Sequence, residues 1–433
     1  MGGLGHARLR IALLGTRGVP ARYGGFETAV EEIGAALAQR GHDVTVYCRD
    51  RSASGQDYRG MRRVVLPSVR RKAWETITHT GLGVLHALRH RPDVALVFNA
   101  ANAPYVAMLR IGGVPAALHI DGHDAERAKW AGFGALYYRF ATRWGSAVAR
   151  AVVVDSRAIG HELSRDHGVH SDYIAYGAGA SQMSSTQSAG VVSDYGLTPD
   201  GYHLVVARFE PENHVLDIVR GYLASSAQLP LVVVGFAGYP GDYARSIAEA
   251  AAGHPQIRLA GAVWDQQLLD ALYAQARTYV HGHSVGGTNP SLLRAMAQAT
   301  PVIAYDCPYN VETTGGAALW FGSEGELGDH LKLAETEPER AALLGEQAGR
   351  RAEEHYRWSV VADAYERLAL DLARRSPSPR SAPAVEQHGH LTDADSVPSA
   401  HAVGHAVDGL VRRGVPRHVD LRATDRVPHG PPG

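Results

Sequence analysis

At 433 residues, with 45% hydrophobic and 20% charged side chains and a formal net charge of −1, the chain is too long for one core and, taken whole, is no polyanion or nucleic-acid binder. The charge is uneven: residues 1–190 hold 23 Lys/Arg against 15 Asp/Glu (+8) and the remainder 20 against 29 (−9), which suits an anionic surface or a phosphorylated substrate as partner of the first half. Two cysteines, Cys48 and Cys307, one in each half, suit a reducing, cytoplasmic setting and exclude a disulfide framework or a cysteine zinc site, and neither a signal peptide nor an apolar run near 18 residues points to a membrane span.

In chain order, Leu9–Leu14 reads as a buried strand running into a loop, Gly15–Gly25, with four glycines and two arginines. Helical spacing from Phe26 is stopped at Arg40-Gly41, and Asp43–Cys48 is the second strand. Further strands are expected near Val64, at Val94–Phe98, Ala116–Ile120 and Ala151–Val154, with a helix from Trp74 to His90. Strands alternating with helices predict a parallel sheet covered on both faces.

Gly179–Gly196 is Ser-rich and reads as a linker. The alternation restarts with strands at Tyr202–Val206, Leu231–Val234, Ile257–Ala260 and Thr278–His281, a helix at Asn213–Ala224, and three closing helices from about Glu324 to Arg374. The last of these is long enough to return to the first half. Expected boundaries are therefore 1–180 and 197–375, followed by a Pro/Ser/His/Gly-rich tail, 376–433, read as disordered. Asp393-Ala-Asp395 in that tail imitates a metal-binding pair without a core to hold it.

The most informative stretch follows Thr278–His281. Gly286 and Gly287 give a tight turn, Thr288 or Asn289 can cap the next helix, and Pro290 suits its first position. Strand, glycine turn and capped helix start make an anion site from free amides and the helix dipole. An ordinary crossover with no ligand shares the same spacing.

Five stretches carry a resemblance: Gly15-Thr-Arg-Gly-Val-Pro-Ala-Arg-Tyr-Gly-Gly-Phe-Glu-Thr28, Phe98-Asn-Ala-Ala-Asn-Ala-Pro104, Ile120-Asp-Gly122 with Arg127-Ala-Lys-Trp130, Ala207-Arg-Phe-Glu-Pro-Glu-Asn213, and Val285-Gly-Gly-Thr-Asn-Pro-Ser-Leu-Leu293. In this order the chain resembles retaining glycosyltransferase family 4 of the GT-B fold, and within it the bacterial rhamnosyltransferase-type members. The resemblance implies two Rossmann-like α/β domains facing across a cleft. It implies transfer of a sugar, with rhamnose from a dTDP donor as the nearest case, from a nucleotide diphosphate sugar to a glycan or lipid-linked saccharide acceptor in polysaccharide synthesis. It also implies no cofactor and no metal, so cationic side chains and amides must stabilise the leaving diphosphate.

On that resemblance the donor side comprises Gly24, Gly25, Glu27, Arg208, Asn213, Gly286, Gly287, Thr288, Asn289 and Arg294. Arg208 suits phosphate through its fork, with a surface ion pair as the plainer alternative. Glu27 either holds a sugar hydroxyl or simply favours a helix start. Asp121 is the expected catalytic carboxylate, with Asp124 and Arg127 on the acceptor side. Arg294 stands where the family has Glu; it cannot accept ribose hydrogen bonds, which leaves a slow enzyme, changed donor handling, or a binding-only paralogue. A nucleotide-sugar epimerase shares the fold. Arg62, Arg63, Arg70, Arg71, Lys72, Arg89 and Arg91 around the helix to His90 suggest peripheral contact with an anionic membrane.

Overall fold

The computed structural model describes residues 8–21, 25–49, 55–68, 72–120, 133–179, 181, 183–237 and 241–375, the backbone alone being described at 72–74, 76 and 133–140. In the first half the strands are β1 (Arg10–Leu14), β2 (Asp43–Cys48), β3 (Asp57–Tyr58), β4 (Met61–Val65), β5 (Val94–Phe98), β6 (Ala116–Ile120), β7 (Ala151–Val154) and β8 (Asp172–Tyr173). Among the described residues they form one sheet in the order β3-β4-β2-β1-β5-β6-β7-β8. Helices α1 (Gly25–Gln39), α2 (Lys72–His90), α3 (Ala103–Ile111), α4 (Phe133–Val148), α5 (Arg157–His167) and α6 (Ser185–Asp194) accompany them.

A second sheet, β11-β10-β9-β12-β13-β14, is built from β9 (His203–Val206), β10 (Leu231–Val234), β11 (Ile257–Gly261), β12 (Thr278–His281), β13 (Val302–Tyr305) and β14 (Leu319–Phe321). Its helices are α7 (Val215–Ala224), α8 (Asp242–Ala251), α9 (Gln266–Ala274), α10 (Pro290–Ala297), α11 (Pro308–Thr314), α12 (Glu324–Thr336), α13 (Pro338–His355) and α14 (Trp358–Arg374). All pairings are parallel except the short β3 against β4. Helices on both faces explain why strands such as Val94–Phe98 and Leu231–Val234 are apolar and buried at each position.

Each sheet reverses its winding once. The first runs β1 to β2 to β4 in one direction, then returns to β5 on the other side of β1; the second does the same at β9 and β12. At such a reversal the neighbouring crossovers lie on opposite faces, which leaves a crevice outside the carboxyl ends of the strands. The loop from Gly15 opens from the first reversal, and Arg208 and the glycine turn stand at the second.

Three expectations change. The stretch expected to be a linker holds α6, because Ser184 and Gln187 form a capping box, Ser188 and Val192 are buried one turn apart, and the helix packs on α9. Arg63, expected on a basic surface, is buried and donates to the Gly55 carbonyl at 3.1 Å, while Arg62 reaches Thr45 Oγ1 at 3.0 Å. The helix expected from Asn213 begins only at Val215, since Pro211–Asn213 forms a 3-10 turn and His214 is left-handed, with φ 49°. At the other end of the chain, α14 packs on α1, where Glu366 takes Arg40 at 2.7 Å and His42 at 2.9 Å.

Candidate functional site

Arg208 lies two residues beyond β9. Its loop is held from three sides: Phe209 N donates to Phe236 O at 3.0 Å, Asn213 Nδ2 to the Arg208 carbonyl at 2.9 Å, and Ser284 N to Glu212 O at 3.0 Å. The last bond staples this loop to the one leaving β12. Among the described residues the Arg208 guanidinium pairs with no carboxylate, so the surface ion pair is not what occupies it. Asn213 is buried and its amide shapes the loop that carries Arg208. That positioning contact was not visible from the sequence.

The glycine turn crosses to the first sheet. Gly286 has φ 115°, open to glycine at little cost. A Cβ on Gly287 would fall on the carboxylate of Asp155, the residue after β7, and Thr288 Oγ1 donates to the Asp155 carbonyl. Asn289 Oδ1 caps α10 by accepting from Ser291 N at 3.0 Å. A Cβ on Gly25, the first residue of α1, would sit 3.1 Å from Pro290 Cγ, the first residue of α10. The starts of two helices from different sheets therefore abut, bringing together two positive dipole ends.

Glu27, in the first turn of α1, accepts from Arg17 N at 3.2 Å, and burial raises its carboxyl above the usual glutamate value despite that bond and the nearby Arg17 and Arg49. It thus braces the β1–α1 loop. Below it Phe26 packs edge-on against Phe98, His119 and Tyr176. His119 Nδ1 lies 2.6 Å from the Tyr365 hydroxyl of α14, and burial lowers its pKa to about 3, so the ring is neutral at pH 7.

Arg294 on α10 is engaged by α9. Its guanidinium pairs with Asp270 at 2.6 Å and donates to Gln266 Oε1 at 3.0 Å and Gln266 O at 3.2 Å, all on α9. In this structure the fork is filled by the neighbouring helix. Gly24, Asp121, Asp124 and Arg127 lie outside the described residues.

Two features were missed. Glu312 on α11 accepts from Ser156 Oγ at 2.6 Å, Arg157 N at 2.8 Å and Ala158 N at 3.1 Å, capping α5 of the first half. Ser156 before a helix is a readable cap, but its partner 156 positions away has no local signature. Beyond β10 and β11, Phe236 and Trp264 set their rings 5.6 Å apart, with Trp264 61% exposed, forming an aromatic ledge on the second half.

Residues 23–176 match the family Glycosyltransferase Family 4, and residues 202–332 match Glycosyl transferases group 1. Over 153 residues the chain is 28% identical to O-antigen chain mannosyltransferase B of Escherichia coli, covering 34% of this chain and 38% of that relative, well under half of its length. Sucrose-phosphate synthase from Thermosynechococcus elongatus superposes with a TM-score of 0.72 at 19% identity, covering 85% of this chain and 100% of the other. HepE of Anabaena in complex with UDP gives 0.66 at 16% identity, over 83% and 99%. A glycosyltransferase from Rickettsia africae gives 0.67 at 12% identity, over 86% and 100%. At these identities the structural likeness is one of fold. The chain therefore has the GT-B glycosyltransferase fold, with a segment that matches Glycosyltransferase Family 4 followed by one that matches Glycosyl transferases group 1.

Proposed function

We propose that the protein transfers a hexose, with retention, from a nucleotide diphosphate sugar to a glycan or lipid-linked saccharide. The observation that supports this reading is the abutment of the α1 and α10 starts at Gly25 and Pro290, with Arg208, which pairs with no carboxylate among the described residues, on the loop that Ser284 N staples to the one leading into α10. A leaving diphosphate gains negative charge as the glycosidic bond breaks. Two dipole ends and a guanidinium fork are groups that stabilise that charge without a divalent metal. In this reading residues 197–375 hold the donor, with the Phe236–Trp264 ledge under its base, and residues 1–180 present the acceptor beside Asp121. UDP in the Anabaena relative and mannose in the Escherichia coli relative's name widen the donor choice beyond dTDP-rhamnose.

The test is calorimetry with UDP-, GDP- and dTDP-hexoses on the wild type and on Arg208→Ala, with product analysis in parallel. Losing hydrogen bonds to a charged group costs about 1.5–3 kcal/mol, or roughly 10- to 150-fold in affinity. Equal binding by the two proteins, or no binding of any nucleotide sugar, refutes the reading. A second reading, a paralogue that binds a nucleotide sugar without turnover, is favoured by one observation: Arg294 replaces the expected Glu and is committed to α9. Tight binding with no product from any acceptor selects it.

A further inference from the structure

Eight large hydrophobic side chains are exposed among the described residues, and five of them, Leu82, Leu85, Met108, Ile111 and Trp144, lie on three adjacent helices of the first half. α3 is the middle helix. On one side Tyr105 Oη donates to the Ile77 carbonyl of α2 at 2.6 Å, and a Cβ on Gly112 would meet Leu88. On the other side Gly145 of α4 faces Ala103, and Arg110 donates to the Val148 carbonyl at 3.0 Å. Met108 shares a helical stripe with Tyr105 and Gly112, both of which face α2, so it stands beside the outward turn that carries Leu82 and Leu85. The exposed residues of α2 and α3 thus belong to one surface, with exposed Trp144 on the helix that adjoins it, whereas scattered apolar side chains are ordinary on a soluble protein.

The charge on this surface has one sign. α3 and α4 contain no acidic residue, and the only one on α2, Glu75, is at the far end of that helix beside Arg49. Arg89, one turn beyond Leu85, and Arg91, Arg110 and Arg143 are all exposed, and among the described residues none of the four has a carboxylate partner. We propose that the α2–α3–α4 face docks on an anionic phospholipid bilayer, with the leucines, Met108, Ile111 and Trp144 entering the headgroup boundary and the arginines pairing with lipid phosphates. A second copy of the chain fits this face poorly, because a two-fold contact would set the arginine rim against itself. The proposal does not depend on the donor or acceptor assigned above. Among the described residues no helix is long and apolar enough to cross a membrane, so the contact is peripheral.

The experiment is flotation of the full chain with phosphatidylcholine vesicles, with and without phosphatidylglycerol, over a range of salt. Binding is expected only with phosphatidylglycerol and is expected to weaken as salt rises. Arg89→Gln with Arg143→Gln should weaken it about fivefold for each arginine, close to 25-fold together. Leu85→Glu with Ile111→Glu should abolish it, while both variants melt as the wild type does, because the sites are exposed. Binding that ignores phosphatidylglycerol, or that is unchanged in both double variants, overturns the proposal. So does a dimer in light scattering that Leu85→Glu with Ile111→Glu converts to monomer, since a second copy then covers the face.

Discussion

A glutamate at position 294, the residue that the resemblance leads one to expect, should harm this protein. In Arg294→Glu the new carboxylate faces Asp270, whose present partner is the guanidinium 2.6 Å away, with the two side chains 23% and 24% exposed. The lost charge-assisted bond is worth about 1.5–3 kcal/mol when buried, and about 1–2 kcal/mol here after allowance for solvent. Two carboxylates at roughly 4 Å repel by about 1 kcal/mol in water and about 4 kcal/mol near a protein surface, so a further 1–2 kcal/mol is reasonable at this exposure. The sum, about 2–4 kcal/mol, lowers the melting temperature by roughly 5–15 °C for a unit of 150–250 residues. Arg294→Glu combined with Asp270→Arg should recover most of the loss, because the pair is restored with its polarity reversed. Differential scanning calorimetry of the wild type, both single variants and the double variant measures this directly. A single Arg294→Glu variant that melts at or above the wild-type temperature and binds a nucleotide sugar more tightly would show that the side chain faces the cleft and that the α9 contacts carry no weight.

Burial lowers His281 and His119 to about 3 and His79 to about 4. The unfolded chain binds protons at these sites from about pH 6.5 downward, so their stabilisation is complete above that pH and is lost as pH falls toward the folded values, by up to about 1.4 kcal/mol per pH unit for each ring. Urea unfolding between pH 7.5 and 5 should decline less steeply in His281→Asn, and parallel curves would refute the assignment. Gly287→Ala places a methyl on the Asp155 carboxylate, and overpacking of this kind costs about 1–3 kcal/mol; small-angle scattering should detect a more open protein, and an unchanged profile with unchanged donor affinity would count against the contact. Glu312→Gln leaves one oxygen for three donors, so α5 should become more susceptible to limited proteolysis, and equal cleavage rates would mean that the cap is dispensable.

What was legible in the sequence follows from where the physics is local. Buried parallel strands are apolar at nearly every position, His119 being the exception here, so Val94–Phe98, Ala116–Ile120, Ala151–Val154 and Leu231–Val234 were read with their observed limits. The glycine turn was legible for a similar reason: Gly286, Asn289 and Pro290 each meet a backbone requirement set within a few residues. α6 was missed because serine and glycine content resembles a linker, and only the Ser184–Gln187 box signals the helix. Arg63 was misread, and the contacts of Arg294 and Asn213 went unforeseen, because a polar side chain does not announce its partner. The partner of Arg294 lies on α9, that of Arg63 is a backbone carbonyl, and that of Asn213 is the carbonyl of Arg208.

The halves also show why bulk charge is a poor guide to a site. The first half is basic overall, yet what it brings to the junction is a buried carboxylate at Asp155, a braced one at Glu27 and a neutral His119. Part of its excess of arginine lies instead on the outer α2–α3–α4 face. The second half is acidic overall, with acidic residues spread along the exposed sides of α12 and α13, yet it supplies Arg208 and the start of α10. Charge far from a crevice is screened within about 8–10 Å at physiological salt, so the net charge of a half governs what its outer surface meets. The local field at the crevice is set by the few groups that the strand ends carry there: a cation and two helix starts that favour an anion, bordered by carboxylates already engaged with backbone amides or packed under the glycine turn.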